Sequence, residues 1–269
     1  MITVADVLSL LEQRFPPDLA EDWDVNGLTV GDPAAPVSRV LLAVDPTLAV
    51  AEEAIAMGAD LLITHHPLML RGVTSVAANT VKGAVVHRLA SAGVALANAH
   101  TNADHAQGGV SDALAAALGV TVTSPLVPID ATTGTGRVGT ITTTTLGEFA
   151  ARAATALPPT AGGVLFAGPA DAEVTKVAVV GGAGDGFLDA AFAAGVDAYV
   201  TADLRHHPAS DAREAANLRG GKPYLVNVSH AASESLWLEG LSREIERLGV
   251  ECAVSRLNTD PWTGRAGHN

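Results

Sequence analysis

Residues 58–67, GADLLITHHP, decide the fold, because they join a short apolar run to two adjacent histidines. The apolar residues 61–63 predict a buried strand whose C-terminal end lies where open α/β sheets bind their ligands. Successive strand residues point to opposite faces, so His65 and His66 converge only if the strand ends before them. Pro67 favours such an end, because it lacks an N–H donor and restricts the residue before it. An isolated histidine doublet is more often a surface pair without a ligand, so its role depends on the rest of the chain.

Length and composition limit the function classes. A chain of 269 residues with 48% apolar residues is long enough for two modest domains or one large α/β unit. The net charge of -13 argues against a nucleic-acid partner, because no basic surface is available to displace counterions. The single cysteine, Cys252, excludes an internal disulfide and a cysteine-based zinc site. The N-terminus lacks a basic signal-peptide region and no apolar run reaches 18 residues, so we expect a cytoplasmic protein with no membrane segment.

Helices and strands alternate along the first part of the chain. Apolar periodicity predicts a helix over 3–14 with Thr3 as N-cap, and another that Ser111 caps and Gly119 ends. The Thr-rich middle, 121–175, predicts strands around one short helix, after which strand and helix alternate again. The other predicted elements are helices over 47–57 and 79–91 and strands over 39–45, over 60–64 and ending at His100.

The second half of the chain repeats the first. A shift of 137 residues aligns 39–64 with 176–201 without a gap, with six of 26 positions identical and the apolar pattern in phase. THHP at 64–67 is matched by TADLRHHP at 201–208. We therefore predict an α/β fold of two similar halves, 1–125 and 126–269, packed face to face with the site between them. The N-terminal helix is a candidate to pack across both halves.

Each half also carries an imidazole followed four residues later by a carboxylate. AHTNAD contains His100 and Asp104, SHAASE contains His230 and Glu234, and each motif follows a predicted strand. Residues four apart share one face of a helix. With the histidine doublet, these motifs supply up to four imidazoles and two carboxylates, and carboxylates can bridge two cations roughly 3.5–4 Å apart. Such a mixed donor set suits zinc, manganese or ferrous iron better than magnesium or calcium, and the residues leave the choice among the three open.

The set and order of these motifs resemble the Nif-three-like family of dinuclear metal centre proteins, often named GTP cyclohydrolase 1 type 2. The similarity runs nearly end to end. The stretches that carry it are EDWDVNGLTVG at 21–31, AVDPT at 43–47, GADLLITHHPL at 58–68, NAHTNADHAQGGVSDALA at 98–115, VDAYVTADLRHH at 196–207 and SHAASE at 229–234.

The resemblance implies two divalent metal ions and a toroidal homo-hexamer built as a trimer of dimers. The metal ligands that it implies are His65, His66, Asp104, His230 and Glu234, with the two carboxylates as bridges. It places His100 near the site as a non-ligand histidine, which makes His100 the candidate catalytic residue. Two features depart from the family pattern. The middle segment is too short for the small domain inserted in longer members, and Ser229 stands where glycine is usual before the C-terminal histidine.

Three further residues are predicted to line the cavity: Thr101, His206 and Trp23. His206 and His207 could instead be surface histidines, and Trp23 could be a packed residue beside the Asx-turn residues Asp24 and Asn26. The glycine-rich stretch 181–186, GGAGDG, lacks the spacing of a phosphate-binding loop and predicts a tight turn. A serine or cysteine nucleophile is not supported, because no G-x-S-x-G motif is present.

Two functions from different classes follow. The first is a dinuclear metal-dependent hydrolase in which activated water attacks a purine nucleotide such as GTP, as the resemblance implies, or a phosphoester. The second is a non-catalytic metal-binding hexamer with an assembly or regulatory role. The sequence carries no guanine-reading or triphosphate-binding motif, so the substrate stays open.

Overall fold

The computed structural model of the protein describes residues 1–266 and divides into two compact units. The first unit comprises Met1–Ala106 and Leu238–Thr259, and the second comprises Gln107–Trp237 and the residues from Asp260 onward. This division differs from the two sequence halves, because a helix and a strand near the C-terminus belong to the first unit.

Within residues 1–266 the helices and strands alternate for most of the chain. The helices are α1 (Val4–Arg14), α2 (Leu48–Ala56), α3 (Val81–Ala92), α4 (Thr101–His105), α5 (Val110–Ala117), α6 (Leu146–Ala156), α7 (Leu188–Ala193), α8 (His206–Asn217), α9 (His230–Glu234) and α10 (Leu238–Glu246). The strands are β1 (Gly27–Val30), β2 (Arg39–Ala43), β3 (Leu61–Thr64), β4 (Ala95–Asn98), β5 (Thr121–Pro128), β6 (Gly134–Thr145), β7 (Leu165–Ala167), β8 (Glu173–Ala183), β9 (Ala198–Ala202), β10 (Tyr224–Val228) and β11 (Glu251–Val254).

The first unit contains a sheet with strand order β1-β4-β3-β2-β11. Strands β4, β3, β2 and β11 are mutually parallel neighbours, and β1 pairs antiparallel with β4 at the edge. β3 and β4 are buried along their whole length, as the continuous apolar pattern predicted. Pairing of β11 with β2 brings the C-terminal strand into this unit.

The second unit contains a sheet with strand order β5-β6-β8-β9-β10-β7. Its centre, β8-β9-β10, is parallel, and antiparallel strands flank it on both sides. Apolar side chains from α5, α6 and the strands form its main core, which contains Leu114, Phe149, Val177 and Val200. Both units are therefore mixed α/β, and the predicted fold class is confirmed.

The internal repeat is visible in the strand register. Val40 pairs with Leu61 in the first unit, and Val177 pairs with Ala198, each 137 residues later. The aspartates before the second strands, Asp60 and Asp197, make equivalent contacts. Each carboxylate accepts from the two backbone N–H groups that begin the preceding parallel strand, those of Ser38 and Arg39 (2.7 and 3.0 Å) and of Thr175 and Lys176 (2.8 and 2.8 Å).

Three local predictions were wrong. Helix α5 begins after Gly109, and Ser111 is buried in its first turn instead of capping it. The first two glycines of GGAGDG continue β8, and the chain turns only from Gly184. The second HHP stretch starts α8 and not the end of a strand, so the register places Asp203 at the position equivalent to His66.

None of the helices in the described residues combines the length and the apolar character that crossing a bilayer requires.

Candidate metal centre

The histidine doublet lies where β3 ends. After Thr64 the backbone N–H groups of His65 and His66 donate to the carbonyls of Ala43 and Val44, at 3.1 and 2.9 Å. The two imidazoles then face the same region, with ring centroids 5.0 Å apart, although the residues are adjacent. His65 is fully buried and His66 is half-buried. The prediction that the strand stops before the doublet is confirmed.

His100 joins this pair from the next parallel strand. It follows β4 at the start of α4, and its ring centroid is 5.2 Å from that of His65 and 5.5 Å from that of His66. One ring nitrogen from each of the three lies within 4.8 Å of the other two. Asp104, on α4, directs a carboxylate oxygen to 3.6 Å from Nε2 of His65. The C-terminal edge of the first sheet thus gathers three imidazoles and one carboxylate.

Each of these imidazoles is oriented by an oxygen acceptor at Nδ1. Nδ1 of His65 lies 3.0 Å from the Ala99 carbonyl, which can only accept a hydrogen bond, so Nδ1 carries the proton. Nδ1 of His66 lies 2.7 Å from Asp45 Oδ1, and Nδ1 of His100 lies 2.7 Å from a carboxylate of the loop before β1. This arrangement fixes the tautomer whose Nε2 carries the lone pair, as metal-ligating histidines require.

The carboxylate that orients His100 is Asp24, whose side chain is fully buried. Its other oxygen accepts from the Thr101 backbone N–H (3.0 Å) and hydroxyl (2.5 Å), and from the Asn26 amide (2.9 Å). Burial would raise the pKa of Asp24, but hydrogen bonds from His100 and Thr101 hold that pKa well below its usual value. Asp24 therefore stays ionised and holds both His100 and the first turn of α4.

The second unit has its own imidazole and carboxylate on α9. Ser229 caps this helix, and Nε2 of His230 lies 3.1 Å from Oε1 of Glu234 one turn later. Nδ1 of His230 lies 2.8 Å from Asp203, which follows β9 and adopts a positive φ of 54°. The pattern of the first unit recurs here: an aspartate orients Nδ1, and Nε2 faces a carboxylate.

Space for the Glu234 carboxylate depends on a glycine of β8. A Cβ added at Gly182 would lie 2.0 Å from Glu234 Oε1 and 3.2 Å from His230 Nε2. Gly182 also has a φ of +68°, a conformation that side chains of L-residues rarely adopt. Its backbone N–H donates to Ser233 on α9 at 3.0 Å. The missing side chain lets the helix and its carboxylate approach the strand.

The donor chemistry fits divalent cations. In the tautomer that Asp203 fixes, Nε2 of His230 and Oε1 of Glu234 both carry lone pairs, yet they lie 3.1 Å apart. Two such acceptors repel unless a cation, either a proton or a metal ion, lies beside them. His65 Nε2 and Asp104 Oδ1 face each other in the same way. Imidazole nitrogen with carboxylate oxygen is a donor set suited to zinc, manganese or iron.

The residues predicted to line the cavity occupy different environments. Thr101 is buried, and its hydroxyl accepts from the Glu21 N–H at 3.0 Å and donates to Asp24. Trp23 is 58% exposed, with its ring 5.9 Å from and edge-on to that of His100, so the packed interpretation of Trp23 was wrong. His206 and His207 are exposed in the first turn of α8, with ring centroids 5.1 Å apart.

Sequence reasoning missed four residues that shape the site: Asp45, Asp203, Gly182 and the orienting role of Asp24. Three of them stand in stretches that were noticed for other reasons. Asp45 lies in AVDPT, Asp24 in the tryptophan loop, and Gly182 in the glycine-rich stretch. The gapless repeat already aligned Asp203 with His66, and that alignment was the available signal for a polar role.

Comparison with known proteins agrees with this geometry. Residues 2–261 match the family model described as Duf34/NIF3 (NGG1p interacting factor 3). A "GTP cyclohydrolase 1 type 2 homolog" of Streptomyces coelicolor is 47% identical, covering 98% of this chain and 94% of the relative. One from Mycobacterium bovis is 35% identical, with 97% of each chain covered. Its alignment runs over 374 positions against the 269 residues here, so that relative carries inserted sequence.

Among solved structures, a hypothetical protein of Staphylococcus aureus superposes with a TM-score of 0.86 at 30% identity. The match covers 97% of this chain and 98% of that one. Family model, curated relatives and fold therefore agree over almost the whole length. The chain belongs to the Duf34/NIF3 family.

Proposed function

We propose that the protein is a dinuclear metal-dependent hydrolase resembling GTP cyclohydrolase 1 type 2. In this proposal His65, His66 and Asp104 of the first unit and His230 and Glu234 of the second hold one pair of divalent cations. Asp104 and Glu234 act as the bridging carboxylates. The ions are zinc, manganese or iron, in keeping with the mixed nitrogen and oxygen donors.

One observation supports this proposal above the others. In both units an imidazole whose Nδ1 is held by an aspartate or a carbonyl turns its Nε2 towards a carboxylate, at 3.6 Å in the first unit and 3.1 Å in the second. Oriented imidazoles of this kind are typical of metal sites and have no evident use in a purely structural cluster. Gly182 adds support, because a strand position is given up to make room for Glu234.

When bound, two such cations supply Lewis acidity and lower the pKa of a water molecule to near neutrality. The residues of the chain perform the remaining tasks. His100, with Nδ1 held by ionised Asp24, presents Nε2 as a proton acceptor and can pass the proton to a leaving group. The five hydrogen bonds that fix Asp24 keep this imidazole in one orientation throughout.

The proposed substrate is a purine nucleotide or a related compound. Its support is the name of the curated relatives, "GTP cyclohydrolase 1 type 2 homolog". A phosphoester is the alternative substrate, since the same donor set would serve both reactions. A non-catalytic metal-binding role is the competing outcome of the test below.

The test is a titration of the metal-stripped protein with zinc or manganese, followed by assays on GTP and on a generic phosphodiester. We expect two ions per chain and metal-dependent turnover that Asp104→Ala abolishes while the fold is retained. Full metal occupancy without turnover on either substrate would favour the non-catalytic role. A wild-type chain that binds no metal would refute both.

Glu234→Gln tests the ligand set itself. Glutamine keeps the size of the side chain and removes its charge, so we expect at most one ion per chain and little change in folding stability. His206→Gln is the matched control, because His206 is exposed on α8 and has no part in the proposed site. Two ions retained by Glu234→Gln would argue against a bridging role for this carboxylate.

The assembly that we propose is a homo-hexamer. Exposed apolar residues on the edge strand β7, Leu165 and Phe166, are compatible with burial in a subunit contact. Light scattering should give about 163 kDa, which corresponds to six copies of the 27.2 kDa chain. A mass of one or two copies at micromolar concentration would contradict the hexamer.

A further inference from the structure

The segment that follows β11 ends close to residues that orient the candidate metal ligands. It remains attached to the first unit through Ser255, whose N–H donates to the Leu42 carbonyl at 2.8 Å and whose hydroxyl donates to Glu53 at 2.5 Å. The segment has no helix or strand of its own from 255 to 266. Its polar contacts therefore determine where it lies.

In the first unit, Thr259 contacts the carboxylate that holds His66. The Thr259 hydroxyl donates to Oδ2 of Asp45, and Oδ1 of Asp45 lies 2.7 Å from Nδ1 of His66. The two oxygens of one carboxylate are thus engaged on opposite sides. A carboxylate held at both oxygens cannot rotate about its terminal torsion, so the plane of the His66 ring is fixed as well.

In the second unit, Asp260 contacts the cap of the helix that carries the other ligands. The Ser229 hydroxyl donates to Oδ2 of Asp260 at 2.6 Å and accepts from the Ala232 N–H at 3.5 Å. Oδ1 of Asp260 accepts from the Trp262 N–H at 2.9 Å, which holds the carboxylate in place. Ser229 directly precedes His230, so its position sets the start of α9.

We propose that Thr259 and Asp260 are positioning residues for the metal ligands, Thr259 acting on His66 through Asp45 and Asp260 acting on α9 through Ser229. The proposal rests on the dinuclear centre proposed above. It gives a role to Ser229, which stands where the family pattern has glycine: its hydroxyl is the group that Asp260 engages. Neither residue offers a ligand atom to the metal. Both act on residues one contact away from it.

The test compares Thr259→Val and Asp260→Asn with wild type. Valine keeps the shape of threonine and removes the donor, and asparagine keeps the shape of aspartate and removes the charge. Thr259→Ser should restore the wild-type behaviour because it restores the hydroxyl. Leu257→Ala is the control within the same segment, since its side chain is exposed. The readouts are zinc affinity by chelator competition, the visible spectrum of the cobalt-substituted protein, and the melting temperature of the metal-stripped protein.

We expect each variant to bind zinc about 3- to 10-fold more weakly, less than the 10- to 100-fold typical of direct partners of ligating histidines. The cobalt spectrum should shift, and the melting temperature without metal should stay close to that of wild type. Zinc affinities within 2-fold of wild type in both variants would overturn this inference and leave the metal centre standing. A wild-type protein that binds no zinc would overturn the metal centre and the inference together.

Discussion

Replacing Gly182 with alanine should remove metal binding without unfolding the protein. The added Cβ would lie 2.0 Å from Glu234 Oε1, whereas ordinary van der Waals contact begins near 3.4 Å. The carboxylate must therefore retreat by about 1.4 Å, the difference between the two distances. Metal–ligand distances tolerate only about ±0.2 Å, so a displaced Glu234 no longer acts as a ligand. We expect zinc affinity to fall at least about 100-fold, beyond the loss caused by removing an outer-shell partner.

Two glycines of the same unit separate this effect from backbone strain. Gly195 has a similar φ of +62° but nothing within 4 Å of an added Cβ, so Gly195→Ala reports the conformational cost alone. That cost is about 1 kcal/mol of unfolding free energy. Gly186, in the same glycine-rich stretch as Gly182, has neither a positive φ nor a close neighbour, so Gly186→Ala should change nothing.

The assay pairs zinc binding by chelator competition with urea unfolding of the metal-stripped proteins. Gly182→Ala and Gly195→Ala should lose comparable stability, but only Gly182→Ala should lose zinc. The reasoning is refuted if Gly182→Ala binds zinc within about 3-fold of wild type, a difference of less than about 1 kcal/mol. It is also refuted if Gly195→Ala loses zinc equally, because strain would then explain the result.

Three further predictions concern residues outside the ligand set. Arg137 is buried and forms a two-point ion pair with Asp112 at 2.9 and 2.8 Å, so Arg137→Met should cost about 3 kcal/mol in urea unfolding, with much of it regained in Arg137→Met/Asp112→Leu; equal stability of both would contradict this. Burial raises the pKa of Cys252 to about 11, so iodoacetamide should alkylate the native protein slowly at pH 8 and faster as pH approaches 11; rapid native alkylation at pH 8 would show an accessible thiolate. Hydrogen bonds lower the pKa of Asp24, so its carboxylate stabilises the fold above about pH 4 and less as pH falls. Asp24→Asn should therefore cost roughly 1–3 kcal/mol at pH 7, and the difference from wild type should shrink below pH 4; a difference independent of pH would refute it. His100→Gln should lower turnover and leave zinc content unchanged; loss of zinc would make His100 a ligand.

The elements that end at the site could be predicted from local sequence. The apolar run before His65, the proline after His66 and the capping Thr3 are signals carried within a few residues. The repeat extended these signals, because the pairing of β8 with β9 reproduces the register of β2 with β3. Fold class and strand ends followed from short-range patterns of this kind.

The residues that orient the histidines could not be predicted in the same way, because their contacts join distant parts of the chain. Asp24 and His100 are separated by 76 residues, and Asp45 and Thr259 by 214. An aspartate in a loop has many structural uses, and nothing near Asp45 in the sequence indicates an imidazole partner. Gly182 shows the same limit, since its value lies in the atoms of Glu234 that a side chain would meet.

X-ray absorption spectroscopy of the zinc-loaded protein tests whether one pair of cations shares the carboxylates of both units. Bridging by Asp104 and Glu234 predicts a metal–metal distance of about 3.5–4 Å and a first shell of mixed nitrogen and oxygen donors. Two zinc ions per chain without a metal–metal signal would mean two separate sites, one in each unit, and would contradict the shared centre.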